Sequence, residues 1–129
     1  MLNVLISDDE PNICGLIEKL IDSSEMQLNL IAVSNDSSET LGIIRSKKPD
    51  IVITDIKMPG MSGLELIKQT IEAGLNIHFI IISGYNDFDY ARTAIQYGVD
   101  AFLLKPINKQ ELHNALSRIS LKITDDRLK

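Results

Sequence analysis

Several residues that mark specialised chains are scarce or missing from this sequence. A single cysteine, Cys14, leaves no internal disulfide to form, which fits a reducing compartment. No apolar run approaches the ~18 residues a membrane span needs. The opening residues MLNVLISDDEP carry neither a basic stretch nor a long apolar core, so no signal peptide is expected there. Positive charge does not dominate: the formal net charge is −5, and an acidic domain is a poor non-specific binder of nucleic acid or anionic lipid. His78 and His113 lack metal-ligand spacing and are assigned no chemistry. No G-x-G-x-x-G follows the first apolar run, and no Walker lysine motif occurs, which argues against a nucleotide-binding domain. Linkers, repeats and low-complexity segments are also missing. These absences leave a domain with no membrane or nucleic-acid contact of its own, expected in the cytoplasm.

What is present is an alternation. With 129 residues the chain suits one domain and can bury about two-thirds of its unfolded surface. Five apolar runs stand out: Leu2–Ser7, Leu28–Val33, Ile51–Asp55, Ile77–Ser83 and Ala101–Leu104. All but the second are nearly continuous, as in strands covered on both faces, and the second reads as an edge strand. Helical stripes fall between them. Ile13, Leu16, Ile17, Leu20 and Ile21 form one; Leu64, Ile67 and Ile71 a second; Leu112, Ala115, Leu116, Ile119 and Ile123 another. Pro11 suits a first helical turn. Asp36 with Glu39, Ser62 with Glu65 and Asn108 with Glu111 carry helix-start spacing, and Gly74 and Gly98 fall where left-handed caps would end helices. Strand and helix thus alternate five times. The expected fold is α/β, a flavodoxin-like (βα)5 doubly wound sandwich with a parallel five-stranded sheet in order 2-1-3-4-5. The expected domain runs over residues 1–122, and the polar stretch 123–129 reads as a fraying tail or the start of a linker.

Ligands of such sheets bind beyond the carboxyl ends of the strands. Those ends carry Asp8 and Asp9 after the first strand, Asp55 at the third, Ser83 at the fourth and Lys105 after the fifth. In the 2-1-3-4-5 order the first and third strands are neighbours, so the three carboxylates converge. Clustered carboxylates repel one another unless a hard cation relieves them, and Mg²⁺ takes one or two carboxylates plus waters. A hydroxyl and an ammonium beside them suit a phosphoryl group. A carboxylate can itself be a nucleophile that becomes an aspartyl-phosphate, and Asp55 is the residue so placed.

The fragments "ISDDEP", "IVITDIKMPGMSG", "IISGY" and "FLLKP", in this order and spacing, resemble the receiver domain of bacterial two-component response regulators, over residues 2 to about 120. The segment "SGYNDFDYARTAIQYGVDAFLLKPI" is similar to receivers attached to AraC-type helix-turn-helix output domains, and no such domain lies within these 129 residues. The resemblance implies a signalling switch, not a turnover enzyme. Asp55 matches the phosphoacceptor, charged by a sensor histidine kinase with Mg²⁺, for which Mn²⁺ can substitute. Asp8 and Asp9 match the acidic pair, with Asp9 the more direct ligand, and Lys57 would offer its backbone carbonyl to the metal. Ser83 and Lys105 match the residues that follow the phosphoryl group, Phe102 matches a switching aromatic, and Pro106 matches a proline often preceded by a cis bond. Lys57 and Tyr85, each two residues beyond a site residue, would modulate hydrolysis. A homodimer through the fourth helix, fifth strand and fifth helix is expected. A phosphatase of the haloacid dehalogenase type would want a second acid where Lys57 stands. A phosphate-independent interaction domain would not need Asp8, Asp9, Ser83 and Lys105 together. Cys14 reads as a packing residue, and Tyr90 and Tyr97 as packing or partner-facing residues.

Overall fold

A computed structural model of the protein describes residues 1–84 and 88–128. Strands β1 (Leu2–Ser7), β2 (Leu28–Ser34), β3 (Ile51–Asp55), β4 (His78–Ser83) and β5 (Ala101–Leu104) alternate with helices α1 (Pro11–Asp22), α2 (Ser37–Lys47), α3 (Gly63–Glu72), α4 (Phe88–Gln96) and α5 (Lys109–Arg127). The sheet is parallel, in the order β2-β1-β3-β4-β5. That is the flavodoxin-like arrangement expected from strict strand–helix alternation.

Successive strand residues point to opposite faces, and the core divides accordingly. On one face Val4, Ile6, Ile51, Ile53, Ile80 and Ile82 pack with Ile17 and Ile21 of α1 and Leu112, Leu116 and Ile119 of α5. On the other, Leu5, Val52, Phe79 and Ile81 pack with Leu41 and Ile44 of α2, Leu66 and Ile67 of α3, and Ala94 of α4. Both layers are needed because β1, β3 and β4 are apolar on both sides. β2 is the expected edge strand. β5 is the other edge, and it departs from the expectation of coverage on both faces: Leu104 is 47% exposed and Phe102 half-buried.

Local sequence signals set the helix ends. The side chains of Asp36, Ser62 and Asn108 accept backbone N–H groups of the first turns of α2, α3 and α5. Gly74 and Gly98 adopt φ of +75° and +83° just past α3 and α4. Two stripes are rotated from the expected faces. Leu16 lies at the margin of α1 and is exposed while Cys14 is buried; in α3 Ile71 is exposed while Leu66 and Thr70 are buried.

The expected break after residue 122 is also corrected. α5 continues to Arg127, Ile123 is buried in the core, and the Arg127 guanidinium donates to Asp50 Oδ1 at 2.6 Å. Asp50 in turn accepts the Asn3 N–H at 2.7 Å, so the last turn of α5 is tied to the amino-terminal edge of the sheet. Thr124, Asp125, Asp126 and Arg127 occupy the solvent side of a helix whose inner side is still held by Ile123.

Candidate functional site

The site lies at the carboxyl ends of β1, β3, β4 and β5, where the chain leaves the sheet in both directions. β1 pairs with β3 up to Ser7 and Thr54, which brings Asp8, just past β1, beside Asp55 at the end of β3. Asp8 is fully buried; Asp9 and Glu10 are exposed. Carboxylate oxygens of these three residues lie within 4.8 Å of one another. Asp55 is 6% exposed.

The scaffold beneath is polar and tightly bonded. Asp8 N–H donates to Ser34 O, its carbonyl accepts Asn35 Nδ2 and Cys14 Sγ, and its Oδ1 accepts the Glu10 N–H at 2.8 Å. Ser37, buried at the start of α2, donates to Pro59 O and accepts from Met61 N, fixing the loop that follows Asp55. Within that loop Lys57 N donates to Asp55 Oδ1 at 3.3 Å.

Lys105 is the cation of the site. Its Nζ lies 3.2 Å from Asp55 Oδ2, 3.4 Å from Asp8 Oδ2 and 3.6 Å from Glu10 Oε1. Its backbone is anchored by N–H donation to Ser83 O, and the Lys105–Pro106 bond is cis. Burial alone would lower the lysine pKa; the carboxylates of Asp55, Asp8 and Glu10 outweigh it and hold the ammonium above its usual range. Both buried carboxyls move upward. Asp8 is pushed to about 6, chiefly by burial and further by the charge on Asp55, against the pull of the Glu10 N–H and Lys105. Asp55 is raised by burial despite Lys105 and the Lys57 N–H.

One ammonium therefore serves three carboxylates, and Asp9 adds a fourth. Asp8 Oδ2 is buried and accepts no hydrogen bond among the described residues, and the Lys105 ammonium that faces it at 3.4 Å is shared with Asp55 and Glu10. A buried acceptor left in that condition is costly, and a hard divalent cation would satisfy it. The donor set is all oxygen, and two of its acids are exposed enough to leave room for cation-bound water. The residues present thus fit Mg²⁺.

Of the other expected site residues, Ser83 is fully buried at the end of β4, its hydroxyl donating to Gly84 O at 2.9 Å. Phe102 packs half-buried against the α2–α3–α4 core. The Lys57 ammonium lies 5.4 Å from the centroid of the Tyr90 ring on α4. Tyr85 lies outside the described residues, as does Asn86 at the start of the expected output surface. Neither histidine joins the site: His78 Nδ1 pairs with Asp100 at 3.1 Å, and His113 Nε2 lies 2.7 Å from Leu20 O. Sequence reasoning missed Glu10 and Gly63. Glu10 is the N-cap of α1, yet its side chain caps nothing and its carboxylate approaches Lys105 instead. Gly63 opens α3 against the backbone of the site: a Cβ there would meet Asp55 O and Ile56 Cα, each at 2.8 Å.

Residues 4–117 match the family model of the response regulator receiver domain. Over 119 residues the chain is 40% identical to YesN, an uncharacterized transcriptional regulatory protein of Bacillus subtilis; the match covers 92% of this chain and 32% of that protein. It is 36% identical to the transcriptional regulatory protein HptR of Staphylococcus aureus, covering 92% of this chain and 46% of HptR. The chain thus spans a third to a half of the length of these relatives. Among solved structures, the REC domain of AraT, a response regulator from Geobacillus stearothermophilus, superposes with a TM-score of 0.91 at 36% identity, covering 98% of each chain.

Proposed function

Since the chain belongs to the response regulator receiver domain family, with homologues that are transcriptional regulators, we propose that Asp55 accepts a phosphoryl group from a sensor histidine kinase and so switches the domain between two states. The observation that carries this reading is Lys105 Nζ shared between Asp55 and Asp8 over a buried, underneutralised carboxylate cluster. Burial raises the Asp55 carboxyl pKa, and Lys105, 3.2 Å away, opposes that and favours the ionised form that attacks. An Asp55 oxygen attacks phosphorus, the bond from phosphorus to the donor nitrogen breaks, and the leaving imidazole takes up a proton. The product is an acyl phosphate with about two negative charges, which Lys105 and the Ser83 hydroxyl can bind. In hydrolysis water attacks phosphorus, the bond to the Asp55 oxygen breaks, and inorganic phosphate leaves with the carboxylate restored.

Receiver domains of this family generally bind Mg²⁺ at an acidic site. Here Asp9, Asp8, Asp55 and the Lys57 carbonyl would hold it, with Mn²⁺ as a substitute. When bound, the cation neutralises the carboxylates and the oxygens of the incoming phosphoryl group. Lys57 shields the acyl phosphate from water, because a cation is drawn to a doubly charged group. The domain acts as a switch and not as a turnover enzyme, in the cytoplasm; among the described residues no helix is long and apolar enough to cross a membrane. The packed unit runs through α5, and the switch controls a DNA-binding output of the AraC type, in keeping with the transcriptional regulators the chain resembles. Ile95 on α4, Tyr97 just past it and Leu104 on β5 are exposed and favour a homodimer through the α4–β5–α5 face, with nucleic acid left to the output domain.

The test uses phosphoramidate, whose phosphorus–nitrogen bond imitates phosphohistidine. Intact mass after incubation with Mg²⁺ should show one phosphoryl group on the wild type and none on Asp55→Asn. No addition to the wild type would overturn the reading.

A further inference from the structure

Lys57 begins beside the reacting carboxylate, its N–H on Asp55 Oδ1, yet its ammonium lies over the ring of Tyr90 in the first turn of α4. Tyr90 is 37% exposed, so its ring is available to the cation at the surface. A single ammonium cannot occupy the ring face and the phosphoryl oxygens together. Before phosphorylation Lys105 lies 3.2 Å from Asp55 Oδ2, and the Lys57 ammonium lies over the aromatic face, within range of cation–π attraction. After phosphorylation the extra negative charge competes with that face for the same cation.

We infer that Tyr90 is a positioning residue that shortens the life of the phosphoryl group on Asp55 by holding the Lys57 ammonium away from it. The inference rests on the reading of Asp55 as phosphoacceptor and Lys57 as shield. Removing the ring sends Lys57 to the phosphoryl oxygens more of the time and crowds the approach of water in line with the breaking bond. Keeping the ring without its hydroxyl changes nothing, since the attraction is to the π face.

The experiment follows decay of the phosphorylated form by intact mass at fixed Mg²⁺, after removal of phosphoramidate. Tyr90→Leu should lengthen the half-life about 2–5-fold, the range expected of an exposed cation–π contact, and Tyr90→Phe should decay like the wild type. Lys57→Met should decay faster than the wild type, and adding Tyr90→Leu to it should change nothing further. A ring that merely supported α4 would alter decay whether or not Lys57 was present. Equal decay in wild type and Tyr90→Leu, or a Tyr90→Leu effect that survives in Lys57→Met, would overturn the inference while leaving Asp55 as phosphoacceptor. Absence of phosphorylation in the wild type would sink both.

Discussion

Replacing Asp8 by Asn should make the metal-free protein more stable, although it removes a charged residue from the ion pair with Lys105. The Asp8 carboxyl is moved from 3.8 to about 6, chiefly by burial. Ionising it in the folded chain at neutral pH therefore costs about 3 kcal/mol relative to the unfolded chain. Asn keeps an oxygen for the Glu10 N–H, and the attraction to Lys105 Nζ at 3.4 Å is already counted in the net shift, so the expected gain is about 3 kcal/mol. For a chain of this size that corresponds to roughly 9–15 °C in Tm. The sign follows from proton binding: a raised carboxyl pKa means that the folded state holds the proton more tightly. Wild-type stability from this group is full below the unfolded pKa of 3.8 and is lost as pH rises through about 6. The advantage of Asp8→Asn should accordingly be largest at pH 7 and shrink toward pH 4. Urea unfolding in chelator across that range measures it, with the midpoint moving and the slope unchanged. Mg²⁺ should then stabilise the wild type more than the variant, because a ligand of the folded state adds stability in proportion to its affinity. A variant that is less stable than the wild type at pH 7 in chelator would refute the argument.

Gly63→Ala should lower stability by about 1–3 kcal/mol and slow phosphorylation, because the new methyl group meets backbone at Asp55 and Ile56 that cannot swing aside; unchanged thermal unfolding and phosphorylation rate would contradict this. Ile123→Ala should cost about 2–4 kcal/mol in urea unfolding, as a core residue does. A loss under about 0.5 kcal/mol would mean that α5 frays there after all. Amide exchange of the phosphorylated and free forms should differ over α4, β5 and α5. Differences confined to α1 and α2 would contradict an output surface at the α4–β5–α5 face.

Much of this was legible in the sequence because burial on both faces writes a strand as an uninterrupted apolar run. Ile51–Asp55 and His78–Ser83 are of that kind, and Asp55 is conspicuous because it ends one. Asp8, Asp55 and Lys105 could be brought together from strand order alone, and the contacts of Lys105 agree. Periodicity was weaker where a stripe is broad. Leu16 and Ile71 fit the helical spacing but fall on the flanks of α1 and α3, and only packing decides which flank is covered. The length of α5 was hidden for another reason. Its last turns are held by Ile123 and by Arg127 on Asp50, a contact across 77 positions that no local pattern announces. Glu10 carried no signal of its own, because its approach to Lys105 depends on where the fifth strand ends. Gly63 carries no chemistry, and its importance lies in the backbone it lets α3 approach.

The most direct measurement is a ³¹P NMR spectrum of the protein treated with phosphoramidate and Mg²⁺, with and without chelator. The account predicts one protein-bound resonance of an acyl phosphate, dependent on the divalent cation and absent from Asp55→Asn. A phosphomonoester resonance, as from Ser83, or an acyl phosphate that persists in Asp55→Asn, would contradict it.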